Sequence, residues 1–166
     1  MKQPQYYIRD GRRFVKVITV PPQQVPDRRG QYLNSDGTFS EEYKEKLSYG
    51  LCVDQTKDSY IVAKLYPSLD VCWYKIQERY LVRLDNINMS IFIPNRIQLF
   101  SAALTYQDKL EFWKNKILWT CEEYSENHAW VLNLCEGYFG YVGFSNKDYN
   151  FSVVAFMTIP IKTIGS

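Results

Sequence analysis

"GYFGYVGF", Gly137 to Phe144, holds four aromatic residues and three glycines in eight positions. If the stretch is a strand, alternation sets Tyr138, Gly140 and Val142 on one face and Phe139, Tyr141 and Gly143 on the other. Aromatics on both faces fit a central strand covered on both sides. Glycines inside a strand mark a bulge, a bend or the close approach of another group. The stretch therefore reads first as a structural strand, with Tyr138 placed for contact with a ligand or partner.

Working outward, most of the chain reads as strand. Asp10-Gly11 separates two strand-like runs, and Asp-Gly is a strong hairpin signal because a type I′ turn needs positive φ at both central residues. "PPQQVPDRRG" breaks regular structure with three prolines. "SYIVAKLY", "VCWYKI", "RYLVRL" and "SIFI" read as strands by their branched and aromatic content, and "ENHAWVLNL", "YFGYVGF" and "FSVVAFMTIPI" finish the chain in the same way.

Helices are expected in two places. "TFSEEYKEKLSYG" offers Thr38 as a cap with Glu41 three residues on, and Gly50 as a stop. Ala103, Tyr106, Leu110, Trp113 and Ile117 step by three and four along one helical face, with Thr105 as cap and a shorter helix over Asn95 to Leu104 before it. The expected fold class is α+β: a single domain over residues 1–166, mainly antiparallel sheet with two or three helices packed on it.

Two motifs resemble the RNA-recognition motif. Phe139, Gly140, Tyr141, Val142 and Phe144 match five positions of its octapeptide, and "IFIPNR", Ile91 to Arg96, matches four of its hexapeptide. That fold needs a further helix and strand after the octapeptide. The remaining residues supply only a strand, so the family is not assigned.

The 166 residues are 46% hydrophobic and 23% charged, ordinary values for a folded protein. Aromatic content reaches 16%, mostly from 14 tyrosines, which suit half-buried strands and interfaces alike. Net charge is only +2, but it is uneven. Residues 1–30 carry seven basic residues against two acidic ones, a net of +5, which leaves −3 for the rest. Arg9, Arg12, Arg13, Lys16, Arg28 and Arg29 are the candidate grip on phosphate or on an acidic partner, with Tyr6 and Tyr7 as candidate aromatic contacts beside Tyr138. The N-terminal segment lacks the apolar run of a signal peptide, and no apolar stretch is long enough to span a bilayer. The expectation is a cytoplasmic chain with no membrane partner, whose Cys52, Cys72, Cys121 and Cys135 stay reduced.

Chemistry-bearing clusters are sparse. His128 is the single histidine, seven residues from both Cys121 and Cys135, and no zinc spacing occurs. A thiol–imidazole pair would need paired strands to bring them together. Glu122, Glu123 and Glu126 form an acidic cluster at the end of the expected long helix, where a magnesium ion could be held. "NSDGT" lacks the first and last calcium ligands, since Tyr32 and Tyr43 stand at those positions. No phosphate-loop, dinucleotide or nucleophile-elbow motif is present. The sequence thus points to a non-enzymatic, protein-binding domain without cofactor or metal. A nucleic-acid-binding module using the basic N-terminal arm is the alternative.

Overall fold

A computed structural model describes residues 6–9, 12–15, 25–68, 70–80, 90–135 and 140–161, with backbone alone for 6–9, 12–15 and 77–80. Its strands in chain order are β1 (Tyr6–Arg9), β2 (Arg12–Val15), β3 (Tyr32–Asn34), β4 (Phe39–Ser40), β5 (Ser48–Gln55), β6 (Ser59–Lys64), β7 (Ser90–Phe92), β8 (Ile117–Ser125), β9 (His128–Asn133), β10 (Tyr141–Asn146) and β11 (Phe156–Pro160). Helix α1 (Trp73–Tyr80) precedes β7, and α2 (Arg96–Thr105) follows it. A single turn of 3-10 helix covers Glu111–Trp113.

The strands form a six-stranded sheet in the order β4-β3-β5-β6-β11-β7, a three-stranded sheet in the order β10-β9-β8, and the β1-β2 hairpin. Every pairing between these strands is antiparallel. The chain is therefore sheet-rich with few helices, more strongly than the expected balance of α and β. Among the described residues no helix is long and apolar enough to cross a membrane.

The main core is built from one face of each sheet. Leu51, Ala63, Leu65 and Phe156 meet Leu118 and Leu132, with Leu99, Ala102 and Ala103 of α2 and Trp113 filling between them. On the other face of the three-stranded sheet, Trp119, Ala129 and Val131 pack on Trp73 and Ile76 of α1. Alternation in β8 and β9 explains both layers, because Leu118 and Leu132 stand opposite each other and so do Trp119 and Val131. Segment 151–153 runs beside β8: Trp119 N–H donates to Ser152 O (3.0 Å) and Ser152 N–H to Ile117 O (3.1 Å).

Four expectations are corrected. The helix expected over "TFSEEYKEKLSYG" is absent. Asp36 Oδ1 accepts from both the backbone N–H (2.9 Å) and the hydroxyl (2.7 Å) of Thr38, which ties Thr38 into a turn. Glu41 accepts from Gln31 Nε2 (2.6 Å) instead of returning to a cap, and Gly50 lies inside β5.

"VCWYKI" reads as strand, but Trp73 starts α1. Trp73 and Ile76, three apart, are both buried while Tyr74 is 48% exposed, so helical spacing prevails over β propensity. The long helix through Ile117 does not form, although its stripe is buried as far as Trp113. Asn115 adopts φ 59°, the chain reverses, and Ile117 opens β8. Only the shorter helix survives, as α2, with Asn95 as N-cap.

Finally, β10 is an edge strand, and Tyr141 and Phe144 are more than half exposed. Gly140, just before β10, and Gly143 within it do mark close approaches. A Cβ on Gly140, whose φ is +67°, would lie 2.9 Å from the Phe100 ring, and one on Gly143 would lie 2.6 Å from the Tyr141 ring. "RYLVRL" lies mostly outside the described residues.

Candidate functional site

The face of the three-stranded sheet that buries Leu118 and Leu132 continues past the N-terminus of α2. There it carries a cluster of aromatic residues. Register sets Trp130 of β9 opposite Phe144 of β10 and His128 opposite Asn146. Tyr124, from the end of β8, lies flat on Phe144, with ring centroids 4.0 Å apart and planes within 3°. Trp130 meets both rings edge-on, at 5.2 Å from Tyr124 and 6.4 Å from Phe144. His128 meets Phe144 edge-on at 5.7 Å.

Arg96, the first residue of α2, closes the cluster from the side, its guanidinium 4.4 Å from the centre of the Trp130 ring. Asn95 places it by capping α2: its side chain accepts from Gln98 N–H (2.8 Å), and the Gln98 side chain accepts from Asn95 N–H (3.0 Å). Glu122 Oε2 accepts the Arg96 backbone N–H at 2.6 Å and lies 3.9 Å from its Nε. One carboxylate thereby serves the helix N-terminus and the guanidinium together. The rings hold one another in place, yet Tyr124 stays 50% exposed and Phe144 52%.

Lysine 147 braces the same hairpin from the opposite face. Lys147 is buried, its Nζ donating to Glu126 O (2.8 Å), lying 3.5 Å from Glu123 Oε2, and sitting 4.7 Å from the centre of the Trp73 ring. Glu122, Glu123 and Glu126 therefore stand on β8 and its turn, not at a helix end. Two are ion-paired to different cations and the third lends a backbone carbonyl. Among the described residues no three His, Cys, Asp or Glu side chains gather to hold a metal.

His128 stands opposite Ser125, whose hydroxyl lies 3.1 Å from Nδ1, so neither cysteine faces it across a ladder. Cys135 follows the end of β9, and its N–H donates to Asn133 Oδ1 (2.9 Å). All four cysteines are free. Burial pushes the Cys52 thiol up to about 12, and burial followed by Glu122 raises Cys121.

The basic candidates divide. Arg29 forms a fork on Asp27, with Nη2 to Oδ2 at 2.7 Å and Nε to Oδ1 at 3.0 Å, so its charge is matched locally. Hydrogen bonds from the Arg29 side chain and backbone hold the Asp27 carboxyl down at about 2. Arg28 Nη1 donates to Gln31 Oε1 (3.0 Å), and the guanidinium lies 5.5 Å from the Phe39 ring centre. Arg9 of β1 stands opposite Arg12 of β2, and Ile8 opposite Arg13; Tyr6 and Tyr7 pair with Val15 and Phe14. Lys16 and Tyr138 lie outside the described residues.

A second exposed tyrosine group has an internal task. Tyr43 and Tyr66 share a 2.5 Å hydroxyl hydrogen bond, and Tyr66 packs on Phe112 at 4.4 Å, which pins the 41–47 segment to the core. That hydrogen bond, with burial, lifts the Tyr43 hydroxyl to about 12.

Sequence reading reached Phe144 through its motif but missed Tyr124, Trp130 and Arg96. They share a surface only through cross-strand register and the capping of α2. No protein-family model matches the chain, and no curated protein sequence matches it.

Proposed function

We propose that this chain is a protein-interaction domain that docks its partner on the Tyr124–Trp130–Phe144 face, with Arg96 at its border. The observation that carries the reading is the exposure of a pre-stacked pair: two large rings lie flat on each other and still present half their surface to solvent. Trp, Tyr and Arg are the residue types that dominate binding hot spots. Side chains already fixed by their neighbours lose little rotamer freedom when a partner covers them. A protein partner suits the surface better than nucleic acid, because the one cation at its border, Arg96, is already paired with Glu122 and leaves little free positive charge for phosphate.

Capture from native lysate tests this. The wild-type chain should retain a partner that Tyr124→Ser and Phe144→Ser both lose while keeping the wild-type far-ultraviolet spectrum. Retention by both folded variants would remove the face from the reading.

One observation favours a second, anionic partner. Like charges directly opposite each other weaken a ladder, yet the β1-β2 register sets Arg9 opposite Arg12. An anion between them would relieve the repulsion. Labelled single-stranded RNA should then bind with steep salt dependence that Arg9→Gln/Arg12→Gln abolishes. Binding that ignores salt, or no binding at low salt, would set this reading aside.

A further inference from the structure

Three of the four tryptophans commit their indole N–H inside the molecule. Trp73 donates to Thr120 O (2.9 Å), Trp113 to Lys64 O (3.2 Å) and Trp119 to Val71 O (2.9 Å). Trp130, on the aromatic face, differs: among the described residues its Nε1 has no hydrogen-bond partner. No buried side-chain nitrogen or oxygen among the described residues is left unpaired, so this N–H reaches solvent. Arg96 stands against the same ring, its guanidinium 4.4 Å from the ring centre and its side chain 40% exposed. Its Nε lies 3.9 Å from Glu122, while Nη1 and Nη2 carry no hydrogen bond among the described residues. An indole N–H and a guanidinium can only donate. The Tyr124 hydroxyl, on a ring 50% exposed, can donate as well.

We infer that the partner segment received by this face is a proline-rich stretch in the polyproline II conformation. Its rings lie against Tyr124 and Phe144, and its carbonyls accept from Trp130 Nε1 and the Arg96 guanidinium. This ligand class rests on the aromatic face being the docking site proposed above, and it names what docks there.

Complementarity of donor and acceptor selects this occupant. A helix or a paired strand of the partner has its carbonyls engaged in its own ladder. Polyproline II makes no internal hydrogen bonds, so its carbonyls stay open to a side-chain donor. Proline also lacks the backbone N–H, and so brings acceptors without donors to a surface whose open groups donate. An ordinary extended segment brings an N–H at every residue, and Glu122 Oε2 at the border already accepts from the N-terminus of α2. Apolar proline rings match the exposed halves of a ring pair already stacked 4.0 Å apart. The fixed φ of proline leaves little backbone freedom to lose on docking.

Nuclear magnetic resonance titration of the nitrogen-labelled full chain with a proline decamer tests this, with a glycine-serine decamer as control. The indole N–H signal of Trp130 should move and saturate with the proline peptide, while those of Trp73, Trp113 and Trp119 hold still and the control moves none. Trp130→Phe keeps an aromatic ring and removes the donor, and should weaken binding about threefold to tenfold, the worth of one hydrogen bond. Tyr124→Ser should abolish the titration in a chain that keeps its folded spectrum. A Trp130 signal that ignores the proline peptide, or follows the control equally, overturns the proline-rich ligand. A folded Trp130→Phe chain that binds as tightly as wild type overturns it too. The wild-type titration decides even where Trp130→Phe does not fold. None of these results removes the docking face itself, which falls only if the two serine variants keep the partner captured from lysate.

Discussion

Single residues in this protein change role according to which neighbour claims them first. Thr38 looks like a helix cap, but the Asp36 carboxylate two residues earlier takes both its donors, and the turn that results excludes the helix. Arg29 looks like a free cation, but Asp27 is held against it by a fork of hydrogen bonds. That pair has a consequence for pH. The Asp27 carboxyl is depressed in the folded chain to about 2, below its ordinary 3.8. A depressed carboxyl contributes stability that is fully present above the ordinary value and is lost as pH falls through the folded one. Asp27→Asn should therefore lower the urea midpoint at neutral pH, and the gap from wild type should close as pH approaches 2. A constant gap would contradict the assignment.

Elements were legible where alternation was regular and capping was local. The strands "SYIVAKLY", "SIFI" and "ENHAWVLNL" contain β6, β7 and β9, and Asn95 opens α2 as its spacing implies. Legibility failed where a long-range partner decided the conformation. The stripe through Leu110 and Trp113 does go to the core, but Asn115 N–H bonds to Leu134 O (3.0 Å) and turns the chain into β8. Trp73 reads as strand because its side chain is β-prone, whereas its indole N–H is committed to Thr120 O (2.9 Å) from a helix. The capping box on α2 can be weighed directly. Asn95→Ala removes the side-chain acceptor for Gln98 N–H and should cost about 1 kcal/mol of stability in chemical denaturation. Glycine at the same position should cost only a few tenths.

At the scale of the molecule, the aromatic face exists because three separated pieces of chain are brought together. Tyr124, Trp130 and Phe144 come from three strands, and β8 uses two residues more than β9 between the Trp119 and Glu123 pairings. No local pattern marks that shift, so the face could not be read from the sequence even though each residue on it was visible. Lys147 is the brace beneath. It joins β10 to the β8-β9 turn through Glu126 O and to α1 through the Trp73 ring, and Trp73 N–H returns a bond to Lys147 O (2.9 Å). A charge-assisted hydrogen bond and a desolvated cation–π contact are lost together in Lys147→Ala, which should destabilise the chain by roughly 2–4 kcal/mol. Lys147→Arg should recover only part of this, since the buried site is shaped for one ammonium.

The proposed docking of another protein on the Tyr124–Trp130–Phe144 face can be tested in place. Site-specific photo-crosslinking in native cells tests it most directly, with a photoreactive phenylalanine placed at position 124 and, for comparison, at position 66 in the internally committed tyrosine group. The expected result is a discrete protein adduct from position 124 and none from position 66. No adduct from position 124, or the same adducts from both positions, would contradict it.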